Sequence, residues 1–256
     1  MKTLAVIPAR LGATRLPRKP LRTIAGVPLI VRVLERVAAL RVADRVVVAT
    51  DSDEIAQRVR EAGGDVVLTA ADHPTGTDRV AEVLRGAAFR EYDAVVNVQG
   101  DEPFVSGSAV RGALAQVTIG DFVLGTAAVL APADALRDPD IVKVVTADDD
   151  AALYFSRAPI PFLRDETDAA ASLQRNSRVY QHVGVYAYTP DALAAWVALP
   201  VHPLEQIERL EQLRPLAHGM RMGVAKVQGP LRAGIDTEAD LERANRDWST
   251  FTVMDR

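Results

Sequence analysis

The chain has 256 residues, of which 48% are hydrophobic and 25% charged, and its formal net charge is −4. This length suits one large α/β domain, alone or with a small lobe, and can bury a core without cross-links. The negative charge argues against a nucleic-acid-binding protein, because duplex binding leaves a basic footprint in the sequence. The absence of cysteine excludes disulfides, thiolate metal sites and cysteine nucleophiles.

We expect no targeting signal in the N-terminal segment MKTLAVIPAR. Its apolar run is too short for a signal peptide, and Pro8 and Arg10 interrupt it. Nothing in the sequence approaches the ~20 apolar residues that a membrane span requires. We therefore expect a cytoplasmic protein with no membrane partner.

The first half of the chain alternates short β-branched runs with amphipathic helical patterns. Strands are predicted at residues 4–7, 44–50, 66–68 and 93–98, and helices at residues 29–40, 53–62, 78–88 and 108–117. This alternation is typical of parallel βαβ units. We predict a doubly wound, mostly parallel open sheet of the α/β class, in which ligands bind beyond the carboxyl ends of the strands.

The second half is less regular. Strands are predicted at residues 142–145, 153–155, 183–188 and 223–227, and helices at residues 204–218 and 237–248. Pro159 and Pro161 keep their segment out of a central strand. We predict a single domain over residues 1–256, in which residues 150–190 form a small β-rich lobe or a dimerisation arm.

The loop after the first strand is strongly basic. Residues 8–21 read PARLGATRLPRKPL and include Arg10, Arg15, Arg18 and Lys19. Guanidinium groups bind phosphate oxygens bidentately, and lysine adds a mobile point charge. The loop has no GxxxxGK[ST] or GxGxxG pattern, so it is neither a Walker loop nor a dinucleotide fingerprint. Its position favours triphosphate binding, with a solvated basic loop as the alternative.

Two carboxylates follow predicted strands. Asp101 comes after the fourth strand in QGDEP, and Gln99, two residues earlier, points to the same side. Asp236 precedes the last helix in GIDT. Mg²⁺ binds a few carboxylates together with phosphate oxygens, so we predict Asp101 and Asp236 as its ligands. The alternatives are a turn cap for Asp101 and a helix-start residue for Asp236.

Seven segments in order resemble one known family, the 3-deoxy-manno-octulosonate cytidylyltransferases, or CMP-Kdo synthetases. They cover nearly the whole chain: PARLGATRLPRKPL (8–21), HPTGTDR (73–79), NVQGDEP (97–103), YFSRAPIP (154–161), QHVGVYAY (181–188), PLEQIERLEQLR (203–214) and GIDTEADLERA (234–244). Any one segment is weak evidence, whereas seven in register are strong.

The resemblance implies a function. Enzymes of this family let the anomeric hydroxyl of Kdo, an eight-carbon sugar acid of lipopolysaccharide, attack the α-phosphate of CTP. The products are CMP-Kdo and pyrophosphate. The resemblance further implies a nucleotide-diphospho-sugar transferase-like fold, Mg²⁺ as the cofactor, CTP and Kdo as substrates, and a homodimer.

The resemblance also assigns roles to individual residues. Arg10 and Lys19 would hold the triphosphate, and Asp101 and Asp236 the Mg²⁺, so these four form the predicted catalytic set. The other predicted nucleotide-binding residues are Ala9, Arg15, Gly76, Thr77, Asp78, Arg79 and Gln99. The predicted sugar-binding residues are Arg157, His182, Tyr186, Glu211 and Gln212. For HPTGTDR, a purely structural role as a helix start is the alternative.

The sequence departs from the family pattern in two places. Arg18 stands where the family usually has glycine. The segment GPLRAGID, which ends at Asp236, lacks the glycine-rich pattern of the family. Both departures bear on nucleotide affinity and selectivity rather than on the reaction class.

Four other functions stay open at this point. The first is a cytidylyltransferase for another sugar acid, such as 8-amino-Kdo or a nonulosonic acid. The second is a nucleotidylyltransferase that acts on a sugar 1-phosphate. A glycosyltransferase would use a DxD motif, and Asp51-Ser52-Asp53 has that form, although a strand end with a helix cap explains it more simply. A non-catalytic NTP-binding module is the remaining possibility.

Overall fold

The structure is a computed structural model that describes residues 1–12, 15–132, 135–162, 179–229 and 231–254. The chain divides into two compact units, residues 1–107 with 231–256 and residues 108–230. We call them the first and the second unit. The predicted lobe at residues 150–190 stays a prediction, and residues 163–178 of it lie outside the described residues.

The first unit is built on four parallel strands. They are β1 (Thr3–Ala9), β4 (Arg45–Thr50), β5 (Asp65–Leu68) and β6 (Ala94–Val98). Their order is β6-β1-β4-β5, with every pair parallel. All five residues of β6 are buried, as are the last six of β1, which fits parallel strands that are covered on both faces.

The helices of the first unit follow the predicted patterns. They are α1 (Leu29–Leu40), α2 (Asp53–Glu61), α3 (Gly76–Arg85) and α8 (Glu238–Met254), with short 3-10 turns at Lys19–Leu21 and Ala87–Phe89 and a small hairpin of β2 (Thr23–Ile24) and β3 (Val27–Pro28). Side-chain caps begin two of them: Ser52 accepts from the Ile55 amide at α2, and Thr75 accepts from the Asp78 amide at α3. Ser52 thus acts as the helix cap that was the simpler interpretation of the DxD sequence.

The second unit mixes parallel and antiparallel strands. Its elements are α4 (Gly107–Thr118, from the unit boundary), β7 (Leu124–Leu130), β8 (Lys143–Thr146), β9 (Ala152–Ser156), β10 (Tyr180–Tyr188), α5 (Pro190–Ala198), α6 (Pro203–Glu208), α7 (Leu213–Ala217) and β11 (Met222–Lys226). β7 pairs with β11 in parallel and with β10 antiparallel. β8 pairs antiparallel with both β9 and β10.

One helix prediction is wrong, and the β2–β3 hairpin, β7 and α5 were missed. The predicted helix at residues 204–218 is two helices, because Arg209 adopts the left-handed conformation with φ 54° and ends α6. β7 reads LGTAAVL, and its glycine and alanines give little strand signal. α5 begins at Pro190 behind the cap Thr189, a Thr-Pro signal that the sequence does display. The strands predicted in the first half are confirmed.

Candidate active site

A cavity of about 310 Å³ lies in the first unit, at the carboxyl ends of β1 and β6. The predicted site residues that line it are Ala9, Arg10, Arg15, Lys19, Gly76, Arg79, Gln99, Asp101 and Asp236. Further lining residues are Pro8, Gly12, Leu16, Pro20, His73, Thr75 and Gly100. Loops that are far apart in the sequence therefore meet at the edge of the sheet where α/β proteins bind their ligands.

Lys19 bridges the two predicted metal ligands. Its Nζ atom lies 2.6 Å from Oδ2 of Asp101 and 2.9 Å from Oδ1 of Asp236. Arg15 adds a contact of 3.1 Å from Nη2 to the other oxygen of Asp236. Burial acts to lower the pKa of Lys19, but the two carboxylates outweigh it and hold this pKa above its ordinary value. The carboxylate pair is thus arranged around one shared cation.

This arrangement fits a hard divalent cation. The two carboxylates already hold a positive group between them, and oxygen ligands are those that Mg²⁺ prefers. Within the part of the chain that the structure describes, no group of three or more His, Cys, Asp or Glu side chains is arranged to hold a metal ion. An ion bound by Asp101 and Asp236 therefore needs further oxygens, and the phosphates of a nucleotide supply them.

Backbone contacts bring the two carboxylates together. The amide of Ile235 donates to the carbonyl oxygen of Asp101 at 2.9 Å. A Cβ atom at Gly234 would lie 2.7 Å from Oε1 of Glu102 and 3.2 Å from the Asp101 carbonyl oxygen. Glycine at position 234 therefore permits the close approach of the loop before α8 to the loop after β6.

Glu102 lies beside the carboxylate pair in a water-poor position. Burial raises its pKa to about 8, and the negative charges of Asp101 and Asp236 add to the rise. Its carboxyl group is therefore held largely protonated at neutral pH. Asp101 and Asp236 thus carry the negative charge at this site.

The start of α3 forms another wall of the cavity. Thr75 caps the helix, and its hydroxyl also donates to Oδ2 of Asp78 at 2.7 Å. Thr77 is only 1% exposed. Thr77 and Asp78 are not among the lining residues, whereas Gly76 is. HPTGTDR therefore forms a helix start, and of its four predicted nucleotide-binding residues Gly76 and Arg79 line the cavity.

Arg79 is a buried arginine with several partners. It is 2% exposed, donates to the Thr69 hydroxyl, and donates to the Ala70 carbonyl oxygen at 3.1 Å. Its Nη2 atom lies 3.6 Å from Oδ1 of Asp51. Arg79 therefore secures the loop after β5 while also lining the cavity.

Arg18 lies apart from the other basic residues of the first loop. It does not line the cavity, and its Nη2 atom contacts both carboxylate oxygens of Glu54 at 2.5 Å. Its backbone is left-handed, with φ 56°, the conformation that glycine adopts most readily. Arg18 therefore forms a surface ion pair on a left-handed backbone and is not part of the cavity wall.

The predicted sugar-binding residues all belong to the second unit. His182 on β10 contacts the Thr126 hydroxyl through Nε2 at 2.9 Å, and its ring packs edge-on against Phe155 at 4.8 Å. Tyr186 lies on the same strand, with its ring 5.4 Å from that of His182. Burial lowers the pKa of His182 to about 3, so the ring is neutral at physiological pH.

Tyr186 adjoins the residues at the start of α7. Burial raises the pKa of its hydroxyl well above the ordinary value, and the negative charge of Glu211 adds to this. Gln212 is 2% exposed, and its Nε2 atom has no hydrogen-bond partner among the residues that the structure describes. A buried amide of this kind is suited to a polar ligand.

Arg157 is fixed by backbone oxygens at the end of β9. Its Nε donates to the Glu208 carbonyl oxygen at 2.9 Å, and its Nη1 donates to that of Pro139 at 2.8 Å. The carboxylate of Glu208 accepts from the Arg157 amide at 2.9 Å and from the Ser156 hydroxyl at 2.6 Å. Fully buried Lys143 donates to the Arg157 carbonyl oxygen at 2.6 Å. The arginine is therefore held in one orientation.

Sequence reasoning missed two informative lining residues, His73 and Gly100. A Cβ atom at Gly100 would lie 2.6 Å from the Pro8 carbonyl oxygen, so the loop after β6 passes directly over the end of β1. His73 begins the HPTGTDR segment, but nothing in its spacing indicated a position in the cavity wall. The pairing of β1 with β6 could have indicated Gly100, whereas only the tertiary structure shows His73.

Comparisons with known proteins agree with this architecture. A family model described as cytidylyltransferase matches residues 4–222. A 3-deoxy-manno-octulosonate cytidylyltransferase from Gemmatimonas aurantiaca is 60% identical over 251 residues, which is 98% of this chain and 96% of the relative. A solved structure of CMP:2-keto-3-deoxy-manno-octonic acid synthetase complexed with CTP is similar with a TM-score of 0.88 and 37% identity, covering 98% of this chain and 99% of that one.

A more distant likeness supports the fold alone. A cytidylyltransferase from Leptospira borgpetersenii has a TM-score of 0.62 at 16% identity, over 98% of this chain and 87% of that one.

The mostly parallel sheet, its flanking helices and the cavity with a basic loop and paired carboxylates define a nucleotidyltransferase-type α/β protein. The family model and the 60% identical relative, which both match most of the chain, then identify the family. The chain belongs to the cytidylyltransferase family and, within it, to the 3-deoxy-manno-octulosonate cytidylyltransferases.

Proposed function

We propose that the protein transfers CMP from CTP to the anomeric hydroxyl of Kdo, giving CMP-Kdo and pyrophosphate. The observation that carries this proposal is the cavity in which Arg10, Arg15 and Lys19 meet Asp101 and Asp236. It occurs in a chain that is 60% identical to a relative named for this activity.

The chain's own cations act on the triphosphate. Arg10, Arg15 and Lys19 line the cavity, where their charges complement the phosphate oxygens. Negative charge that builds on the α-phosphate oxygens during transfer is stabilised by cations that are already in place. Asp101 and Asp236 would hold Mg²⁺, which when bound supplies charge neutralisation at the phosphates and lowers the pKa of a coordinated hydroxyl.

The second unit supplies groups that suit a sugar acid. Arg157 has guanidinium donors beyond the two that backbone oxygens use, and a fixed guanidinium binds a carboxylate bidentately. Tyr186 keeps its hydroxyl proton, since burial raises its pKa well above the ordinary value. A neutral phenol both donates to and accepts from sugar hydroxyls. These roles, with those of His182, Glu211 and Gln212, form the sugar-binding part of the proposal.

Pyrophosphate release tests the proposal. Purified protein, Mg²⁺ and CTP are incubated with and without Kdo, and pyrophosphate and CMP-Kdo are measured. Kdo-dependent release of both supports the proposed reaction. Release only with 8-amino-Kdo or a neuraminic-type acid would keep the reaction class and change the acceptor. Release of a nucleoside diphosphate from a nucleotide sugar would indicate a glycosyltransferase instead.

A substitution separates the proposed metal site from the rest. Asp101→Asn keeps the size of the side chain and removes its charge, so we expect turnover to fall by a factor on the order of 10²–10³. An unchanged rate with Asp101→Asn would remove this residue from the metal site. Omission of Mg²⁺ from the wild-type assay should abolish product formation, and chelation followed by re-addition should restore it.

The proposal includes three broader expectations. The family resemblance favours a homodimer, a place in lipopolysaccharide precursor synthesis and a location in the cytoplasm. Among the described residues, none of the helices is long and apolar enough to cross a membrane. Light scattering coupled to size-exclusion chromatography tests the dimer, and a monomer at micromolar concentration would contradict it.

A further inference from the structure

His73 is held in the wall of the cavity by Glu82, a residue of α3. The Nε2 atom of His73 forms a hydrogen bond with Oε2 of Glu82, and the same oxygen accepts from the Ala70 amide at 2.9 Å. One helical turn earlier, Arg79 donates to the Thr69 hydroxyl and the Ala70 carbonyl oxygen. The loop that carries His73 is therefore fastened to α3 at several points, which holds the imidazole in one place before any ligand arrives.

The hydrogen-bond partner of Nε2 determines whether the other ring nitrogen of His73, Nδ1, is a donor or an acceptor. Burial acts to raise the pKa of Glu82, but His73 and the Ala70 amide outweigh it and hold this pKa below the ordinary value. An ionised carboxylate only accepts hydrogen bonds, so Nε2 carries the proton. In the neutral ring Nδ1 is then an acceptor, and it bonds to none of the residues that the structure describes.

The topology places this acceptor away from the phosphate end of the cavity. The phosphate end is marked by Lys19, Asp101 and Asp236, in the loops after β1 and β6 and before α8. His73 follows β5, which β1 and β4 separate from β6. His73 also borders a second pocket, which Val67 and Leu68 of β5 line. A nucleotide with its triphosphate at the carboxylate pair therefore presents its nucleoside half to His73.

We infer that His73 is a nucleoside-recognition residue, whose Nδ1 atom accepts a hydrogen bond from a donor on the nucleoside half of CTP. Glu82 is the positioning residue that fixes the tautomer of the ring. The donor is either the 4-amino group of cytosine or a ribose hydroxyl. This inference rests on the proposed use of CTP by the cavity.

The test measures nucleotide binding by calorimetry with a set of ligands. CTP is compared with UTP, which lacks the 4-amino group, and with 2′-deoxy-CTP and 3′-deoxy-CTP, which each lack one hydroxyl. His73→Ala should raise the Kd for CTP on the order of 3- to 10-fold, the usual effect of one neutral hydrogen bond. For the analogue that lacks the partner group, wild type and His73→Ala should bind equally well.

Two further variants separate recognition from structure. His73→Asn keeps an acceptor near the position of Nδ1 and should recover most of the affinity. Glu82→Ala removes the acceptor that holds the ring proton on Nε2, so it should weaken CTP binding like His73→Ala. Glu82→Gln is the matched control, because its amide oxygen can accept from both Nε2 and the Ala70 amide and should keep most of the affinity. Binding of pyrophosphate with Mg²⁺, which probes only the phosphate end, should be the same in all variants.

The results divide clearly. A loss that is equal for CTP and all three analogues, or no loss at all, overturns the role of His73. A parallel loss of pyrophosphate binding also overturns it, because the substitution would then disturb the whole cavity. If wild-type protein binds none of the nucleotides, the proposed function fails and this inference fails with it.

Discussion

The ammonium group of Lys19 lies 2.6 Å from Oδ2 of Asp101, although the two residues are 82 positions apart in the sequence. The same ammonium group contacts Asp236 at 2.9 Å. A lysine predicted to bind phosphate is therefore also the cation that joins the two predicted metal ligands. Binding of a divalent ion between the carboxylates requires this lysine to give up contacts with them, and the triphosphate offers it new ones.

We predict that Lys19→Met lowers the stability of the ligand-free protein and increases its affinity for divalent ions. Without the ammonium group the carboxylates repel each other, so the free energy of unfolding should fall by about 1 kcal/mol. Mn²⁺ binding without nucleotide, followed by electron paramagnetic resonance, should be tighter than in wild type. Equal Mn²⁺ affinity in the two proteins would show that Lys19 does not compete with the metal. The double variant Lys19→Met with Asp101→Asn is the control, and it should not show the tighter Mn²⁺ binding of Lys19→Met.

Arg18→Gly should leave stability nearly unchanged. Glycine adopts the left-handed backbone of residue 18 without the strain of about 1 kcal/mol that arginine has there. The exposed ion pair with Glu54 contributes at most about 1 kcal/mol to the free energy of unfolding. Arg18→Ala is the matched control, because it loses the ion pair and keeps the strain. Urea unfolding should therefore rank Arg18→Gly about 1 kcal/mol above Arg18→Ala. The reverse order would show that the ion pair dominates.

Stability should fall at mildly acidic pH because of His182. Its pKa is about 3 in the folded protein, against an ordinary value of 6.5, so the unfolded chain binds the extra proton between these values. The contribution is absent above about pH 6.5 and grows by up to about 1.4 kcal/mol per pH unit as the pH falls toward 3. His182→Gln should show a shallower decline in urea unfolding between pH 6.5 and 4.5.

The ring of His182 can also be observed directly. Its imidazole carbon signals in a ¹³C-labelled sample should show no titration between pH 8 and 5. A midpoint near 6.5 would contradict the burial that lowers the pKa.

Gly100→Ala should damage the cavity through the backbone. The new Cβ atom would lie 2.6 Å from the Pro8 carbonyl oxygen, so β1 and the loop after β6 must separate. Overpacking of this kind destabilises by about 1–3 kcal/mol. Gly12→Ala is the control in the same cavity, since none of the described residues lies within 4 Å of a Cβ atom there. Similar thermal stability of the two variants would show that the loop adapts.

Arg157→Lys should impair use of the sugar acid and spare the nucleotide. Lysine cannot reproduce the planar contacts to the Glu208 and Pro139 carbonyl oxygens while binding a carboxylate bidentately. We expect the KM for Kdo to rise by about 10- to 100-fold, the effect of losing one charge-assisted hydrogen bond. The KM for CTP serves as the internal control. Equal changes in both values would assign Arg157 a structural role.

The sequence determined the class of fold and the phosphate-binding loop because both depend on local patterns. Buried parallel strands are continuous apolar runs, and the four parallel strands of the first unit were all predicted. The basic loop follows β1 directly, and the carboxyl ends of parallel strands face one cavity in this fold. The match of seven segments in order identified the family.

Only the tertiary structure decided which side chains meet. The sequence gives no distance between Lys19, Asp101 and Asp236, and it could not show that Arg18 pairs with Glu54 instead of lining the cavity. The break at Arg209 was likewise hidden, because a left-handed residue leaves no signal in hydrophobic periodicity. His73 and Glu82 are joined through packing of α3 on the loop after β5. Local propensity fixes elements, whereas contacts between distant residues depend on how those elements pack.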